Sequence, residues 1–222
     1  MRTLDKAKRH LNRSINAALL KNDLVLVGLL TKSLALAFNG WAEANLSKLI
    51  HTPYGFDDIE MEQIKAEHRK AGIGAAWTKC IQLGLSHVQS SPKSNYLPNI
   101  RQKLARIAEQ YVIAPYLLRN KIAHGQWSVA LNRENTAINP DTTQQLRQLD
   151  VVTVNNWFDA HRYLARVVEA LVESPDGAFH RDVAVELSAL EEFEEKSRTE
   201  TVAGKIAALR EKTSHRPIGA TS

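Results

Sequence analysis

Residues 97–125 read LPNIRQKLARIAEQYVIAPYLLRNKIAHG. Leu97, Ile100, Leu104, Ile107, Tyr111, Leu118 and Ile122 recur at steps of three, four and seven, which is one face of an amphipathic helix. Arg101, Lys103 and Arg106 project from its other faces. Pro115 lacks the N–H that the helix ladder needs, so the helix should kink or restart one turn before Arg119. Gly125 suits the left-handed residue that commonly stops a helix. This is the clearest helix in the chain, and it sets the expectation of an all-α fold.

The upstream chain agrees. Residues 3–20 place Leu4, Ala7, Leu11, Ile15, Ala18 and Leu19 at helical steps, among the basic residues Arg2, Lys6, Lys8, Arg9 and Arg13. That basic face reads as solvated, with phosphate contact as the alternative. Asn22 or Asp23 can cap the next helix, over residues 24–50. Its first half is apolar almost all round, so a buried central helix is expected. A short strand at residues 24–30 is the alternative. Gly40 would let another helix approach closely. After a Pro53 and Gly55 loop, Asp57 or Asp58 caps a third helix running toward Leu85, with Ile59, Ile64, Ala71, Ala75, Ile81 and Leu85 in its stripe. Gly72-Ile73-Gly74 makes no dinucleotide fingerprint, because no strand precedes it and no third glycine follows.

Downstream of Gly125 the period changes. Trp127, Val129 and Leu131 alternate, a polar turn covers residues 132–135, and Ala137 and Ile138 follow; a small β-hairpin is expected. Pro140-Asp141 opens a short helix or turn. Trp157, Leu164, Val168 and Leu171 mark a helix over residues 154–172, which Pro175-Asp176-Gly177 ends. Phe179, Val183, Leu187 and Leu190 define another, acidic at its end through Glu191, Glu192, Glu194 and Glu195. Val202, Ile206 and Leu209 suggest one more, before a disordered tail. The expected division is a helical domain over residues 1–175, with its core at about 23–172, and a C-terminal helical extension and tail over 176–222.

Composition narrows the functional classes. A chain of 222 residues is one domain of ordinary size, able to bury a real core. Its net charge of +5 permits an anionic partner without demanding one. The single cysteine, Cys80, excludes an intrachain disulfide, points to a reducing compartment and reads as a packed thiol. Lys21-Asn22-Asp23 interrupts the first apolar block, unlike a signal peptide. Thr31-Lys32-Ser33 cuts the apolar run far short of the roughly 20 residues that span a membrane. The expectation is a cytoplasmic protein with no membrane partner. His87, His161 and His180 have no partners at metal-ligand spacing, so core or surface roles are expected, with no metal and no cofactor.

The chemistry concentrates at Arg119, Asn120 and His124. An arginine holds a phosphate through a planar fork of donors and keeps its charge near neutral pH. A histidine takes or gives a proton in that same range. Arg210 and His215 repeat the spacing in the polar tail, but without an apolar helix before them. Residues five apart on a straight helix point about 140° away from each other. A shared site therefore needs a bend, a helix end, or a second copy of the pair. The alternative is structural: an arginine in a salt bridge and a histidine against the helix dipole.

Leu118-Arg119-Asn120-Lys121-Ile122-Ala123-His124-Gly125, followed by Trp127, resembles the HEPN superfamily signature, an arginine, four to six residues and a histidine, often with asparagine after the arginine. It is closest in flavour to the defence- and mobile-element-associated branch, and the order of long helices extends the likeness to about residues 23–172. The resemblance implies an all-α up-and-down bundle, a homodimer, and a metal-independent endoribonuclease acting on RNA, in phage defence or beside an antitoxin or other defence-system partner. It implies catalytic roles for Arg119, His124 and Asn120, and substrate contacts from Lys121, Gln126 and Trp127, the last able to stack on a base or to pack in the hairpin. In the branch paired with a nucleotidyltransferase antitoxin, a tyrosine stands two residues after the histidine. Here that position is Gln126, so a modifiable tyrosine does not carry over. Some members keep the fold without catalysis, which leaves a non-catalytic RNA- or protein-binding dimer as the alternative.

Overall fold

The computed structural model describes residues 1–88, 95–173 and 179–214, with residues 179 and 180 described by their backbone alone. The expected helix end at residues 175–177 falls outside them, as do the side chain of His180 and the tail beyond residue 214. Among the described residues the elements are α-helical apart from one π-helical turn, with a single isolated β-bridge.

α1 (Arg2–Leu20) and α2 (Leu24–Ile50) form a tight hairpin. Asn22 turns it with φ 56°, and the Asp23 carboxylate caps α2 by accepting from the Leu26 N–H at 3.0 Å. α7 (Val151–Glu173) packs on α2, and its side chains reach α1. It runs antiparallel to α1: Asn155 bonds Asn12, Asp159 meets Lys8 at 3.4 Å, and Arg162 meets Asp5 at 3.6 Å. Lys8 is thus drawn out of the expected solvated face, half-buried and 4.4 Å from the Phe158 ring.

The core between α2, α3 and α7 is aromatic. Phe38 meets Phe158 edge-on at 5.0 Å, and Trp41 meets Phe158 at 5.1 Å. By length and composition α2 is apolar enough to cross a membrane. Its residues Leu34, Phe38, Trp41, Leu46 and Leu49 are nevertheless spent on this core. The expectation of burial fails at the other end, where Leu24, Val25, Leu26 and Leu29 are exposed. An all-apolar first half is therefore buried only from Thr31 onward.

α3 (Asp58–Ser86) opens with the expected cap. Asp57 accepts from the Glu60 N–H at 2.8 Å, and the Glu60 carboxylate accepts from the Asp57 N–H at 3.1 Å. It is not one straight helix. At Gly72 the backbone adopts φ 80°, ψ −170°, a conformation that only glycine takes without strain, and the chain doubles back. The ends of the two arms then meet, with His87 Nε2 2.6 Å from a Glu60 carboxylate oxygen. The expected single stripe is thereby broken, and Ile59 and Ala71 are exposed. Close approach occurs at Gly74 and Gly84 rather than at Gly40. A Cβ on Gly74 would lie 2.6 Å from Ile113, and one on Gly84 would lie 3.2 Å from Leu171, whereas Gly40 has nothing within 4 Å.

α4 (Tyr96–Ala108) passes into a π-helical turn (Glu109–Ile113) and restarts as α5 (Ala114–Ala123), with Pro115 in its first turn. The Ala114 N–H reaches back to the Glu109 carbonyl, the wider turn that tolerates a missing proline N–H. α6 (Pro140–Gln148) is short. α8 (Phe179–Thr199) packs along α7, adds Val183 and Leu190 to the same core, and meets α4 through its acidic end. Arg106 donates two 2.8 Å bonds to the Glu194 carboxylate, and Lys103 pairs with Glu191. α9 (Val202–Ser214) lies near α1 and α7.

The expected β-hairpin after Gly125 is a correction. Leu131 and Ile138 form one antiparallel bridge, flanked by the bonds Asn132 N–H to Ala137 O and Asn139 N–H to Ala130 O, both 2.8 Å. The alternation is too short to build a ladder, and Val129 and Ile138 find no buried face to pack on. Asn132 holds the turn instead, its side-chain Oδ1 accepting from the N–H groups of Thr136 and Ala137.

A candidate active site where the motif helix ends

α5 carries Arg119, Asn120 and Lys121, and His124 is its C-terminal cap. The stop anticipated at Gly125 is present. Gly125 has φ 78°, its N–H reaches the Ile122 carbonyl at 3.0 Å, and the Gln126 N–H reaches the Lys121 carbonyl at 2.9 Å. This closure turns the chain sharply away from α5 and leaves the His124 side chain exposed, with no hydrogen bond to the described protein.

Arg119 is half-buried. Its Nη1 donates to the Asn120 carbonyl oxygen at 2.8 Å, its guanidinium lies 5.7 Å from the Tyr116 ring centre, and its buried Nε–H has no partner. Tyr116 in turn packs at the Gly72 turn of α3, so the fold holds the arginine from beneath. Asn120 and His124, four residues apart, share one face of α5 and line a single open groove of about 1010 Å³ between α5, the 126–139 loop and α6. Arg119 is not itself on that lining; it reaches the groove's edge through Asn120.

Of the three residues expected to touch substrate, two hold the loop. Lys121 Nζ donates to the Leu131 carbonyl at 2.7 Å, and the Gln126 side-chain carbonyl accepts from the Leu131 N–H at 2.8 Å. Together they clamp Leu131 from both sides, yet both also line the groove. Trp127 packs against the core and does not line it. A buried Thr143 fixes the loop's base by accepting from the Ala130 N–H at 2.9 Å. Sequence reading missed Arg133 and Asn139, which line the same groove as His124. Their signal was present, a cation and an amide in a polar stretch, but nothing local placed them on that groove.

The other titratable candidates lie away from the groove. His161 is fully buried; Asn45 Nδ2 donates to its Nδ1 at 2.9 Å, and burial pushes its pKa down to about 3. Burial pushes the Cys80 thiol up, which makes it a packed side chain rather than a nucleophile. Among the described residues no three His, Cys, Asp or Glu side chains converge as a metal site would require. No protein-family model matches this sequence, and no curated protein or solved structure matches it.

Proposed function

We propose that this chain is a metal-independent endoribonuclease of the HEPN type, working as a homodimer in the cytoplasm, in phage defence or opposite an antitoxin. The observation that carries the reading is the shared groove: an unpartnered His124 and Asn120 line it, Arg119 reaches its edge through Asn120, and among the described residues no carboxylate lines it. A phosphodiester can enter such a groove without like-charge repulsion.

In this mechanism the 2′-hydroxyl oxygen attacks the adjacent phosphorus and the 5′-oxygen of the next nucleotide leaves. His124 takes the hydroxyl proton or returns one to the leaving oxygen. Arg119 neutralises charge growing on the phosphate oxygens, and Asn120 orients its guanidinium. The products are a 2′,3′-cyclic phosphate and a free 5′-hydroxyl. DNA lacks the attacking group and should survive.

Assembly is supported by apolar surface. Leu24 and Val25 are 67% and 76% exposed on α2, and Leu117 is 60% exposed on α5, which packs on α2. A second copy related by a two-fold axis and seated on α5 at Leu117 would bring two motif helices together.

The test is cleavage of single-stranded RNA in excess chelator, with end-group analysis of the products. His124→Ala should slow it roughly 10²–10⁴-fold, the usual worth of a general acid–base group. Cleavage that survives this change, or that requires Mg²⁺, would overturn the site. RNA bound but left uncut by the wild type would leave a non-catalytic binding dimer. Mixing Arg119→Ala chains with His124→Ala chains should restore one intact composite site in up to about half of the dimers if each subunit supplies one half.

A further inference from the structure

Three carboxamides on the groove have only one way to face it. Asn120 Oδ1 is taken by the Arg119 guanidinium, Gln126 Oε1 by the Leu131 N–H, and Asn139 Oδ1 by the Thr142 N–H at 3.0 Å. Each of those partners is a donor, so the atom facing it must be the carbonyl oxygen and the amide orientation is fixed by chemistry. What each amide has left is its NH₂, and no protein acceptor takes it among the described residues. Among the described residues the Arg133 side chain stands on the same lining with no ion pair or hydrogen bond, and no carboxylate interrupts it.

The groove is therefore rich in unspent donors, the three NH₂ groups and the Arg133 guanidinium, beside Asn135, Thr142 and Gln145, whose side chains can donate or accept. Its volume, about 1010 Å³, is at the upper limit of the roughly 300–1,000 Å³ that small-molecule sites occupy. It is open rather than enclosing, and among the described residues no phenylalanine, tyrosine or tryptophan lines it to stack a base. A ligand that presents only acceptors, spaced along a chain, fits these features: the phosphate backbone of a single-stranded nucleic acid.

We infer that the 126–139 loop and the start of α6 form a backbone-binding wall. Arg133 and the NH₂ groups of Asn139 and Gln126 hold RNA phosphates next to the scissile one, without selecting bases. The inference rests on the ribonuclease reading for its substrate but not for its geometry. Lys121 and Gln126 build this wall by clamping Leu131, and Arg133, an unanticipated residue, supplies its charge.

The experiment uses the full chain carrying His124→Ala, so that RNA stays intact, in excess chelator. Binding of short labelled oligo-U, oligo-A and oligo-C is followed by fluorescence anisotropy across a salt series. Arg133→Ala should weaken all three alike, roughly five- to tenfold, and reduce the salt slope by about 0.7–1, the signature of one lost phosphate contact. Asn139→Asp keeps the carbonyl oxygen that caps α6 but turns the groove-facing donor into an acceptor; it should weaken binding at least as much, with an unchanged melting curve. Wild-type affinity and slope in both variants would overturn the inference, as would poly-glutamate competing as well as RNA at equal charge. A loss confined to one base would also overturn it, since phosphates are common to all. If both variants bind and cleave normally in the His124 background while His124→Ala is inactive, the wall falls and the ribonuclease stands. If they lose binding but no chain cleaves RNA, the wall stands and the ribonuclease falls.

Discussion

His161 and His124 are the same residue in opposite surroundings. The His161 ring lies 4.8 Å from Trp77, 5.4 Å from Trp41 and 6.0 Å from Phe38, with its Nδ1 held by Asn45. The His124 ring ends a helix, faces an open groove and touches no partner. Burial keeps the first neutral and gives it packing work only. The second is exposed on the groove, and the donors around it suit an anion. What separates structural from chemical histidines here is whether the neighbours bury the ring or leave it open to a ligand.

The sharpest way to break that contrast is to truncate each ring and read both activity and stability. His124→Ala should leave urea unfolding within about 0.5 kcal/mol of the wild type while cleavage collapses. His161→Ala opens a cavity and strands Asn45, so it should cost about 3–5 kcal/mol. Unfolding caused by the first change, or indifference to the second, would undo the distinction.

Acid sharpens it. The His161 pKa lies at about 3 in the fold and near 6.5 in the unfolded chain. The unfolded chain therefore takes up a proton between these values and the fold does not. This contribution to stability is complete above about pH 6.5 and is lost as pH falls toward 3. Between pH 7 and pH 4 the loss should be roughly 3 kcal/mol at about 1.4 kcal/mol per unit. His161→Gln, which does not titrate, should flatten that part of the pH profile in urea titrations. An unchanged slope would mean that another group governs acid lability.

The smallest expected effects connect the two regions. Gly74→Ala drives a Cβ into Ile113, the last residue of the π-helical turn before α5, and should cost about 1–3 kcal/mol. Gly40→Ala meets nothing and should be neutral or stabilising by up to about 1 kcal/mol. Thermal unfolding of this pair tests whether glycine marks close contact only on the α3 arm.

Features whose causes lie within a few residues were legible. Asp23 and Asp57 cap helices with their own side chains, Pro115 forces a restart, and Gly125 closes α5 through bonds to Ile122 and Lys121. Features that depend on distant partners were not. Gly72 looked like a helix interior because its sequence neighbours are helical, and its reversal shows only when Glu60 meets His87. Lys121 and Gln126 looked free because Leu131, which occupies both, lies several residues beyond them across a turn. Trp127, Val129 and Leu131 alternate as a strand would, but among the described residues no strand is there to extend the bridge.

By itself, then, the sequence determined the all-α character, the main helices with their caps, and the Arg119–His124 motif at a helix end, because periodicity and capping act over one or two turns. The tertiary structure decided which apolar residues of α2 stay uncovered, which histidine is buried, and which donors around the groove are already spent. Those outcomes depend on what packs against each side chain, and packing partners are set by the path of the whole chain rather than by spacing along it.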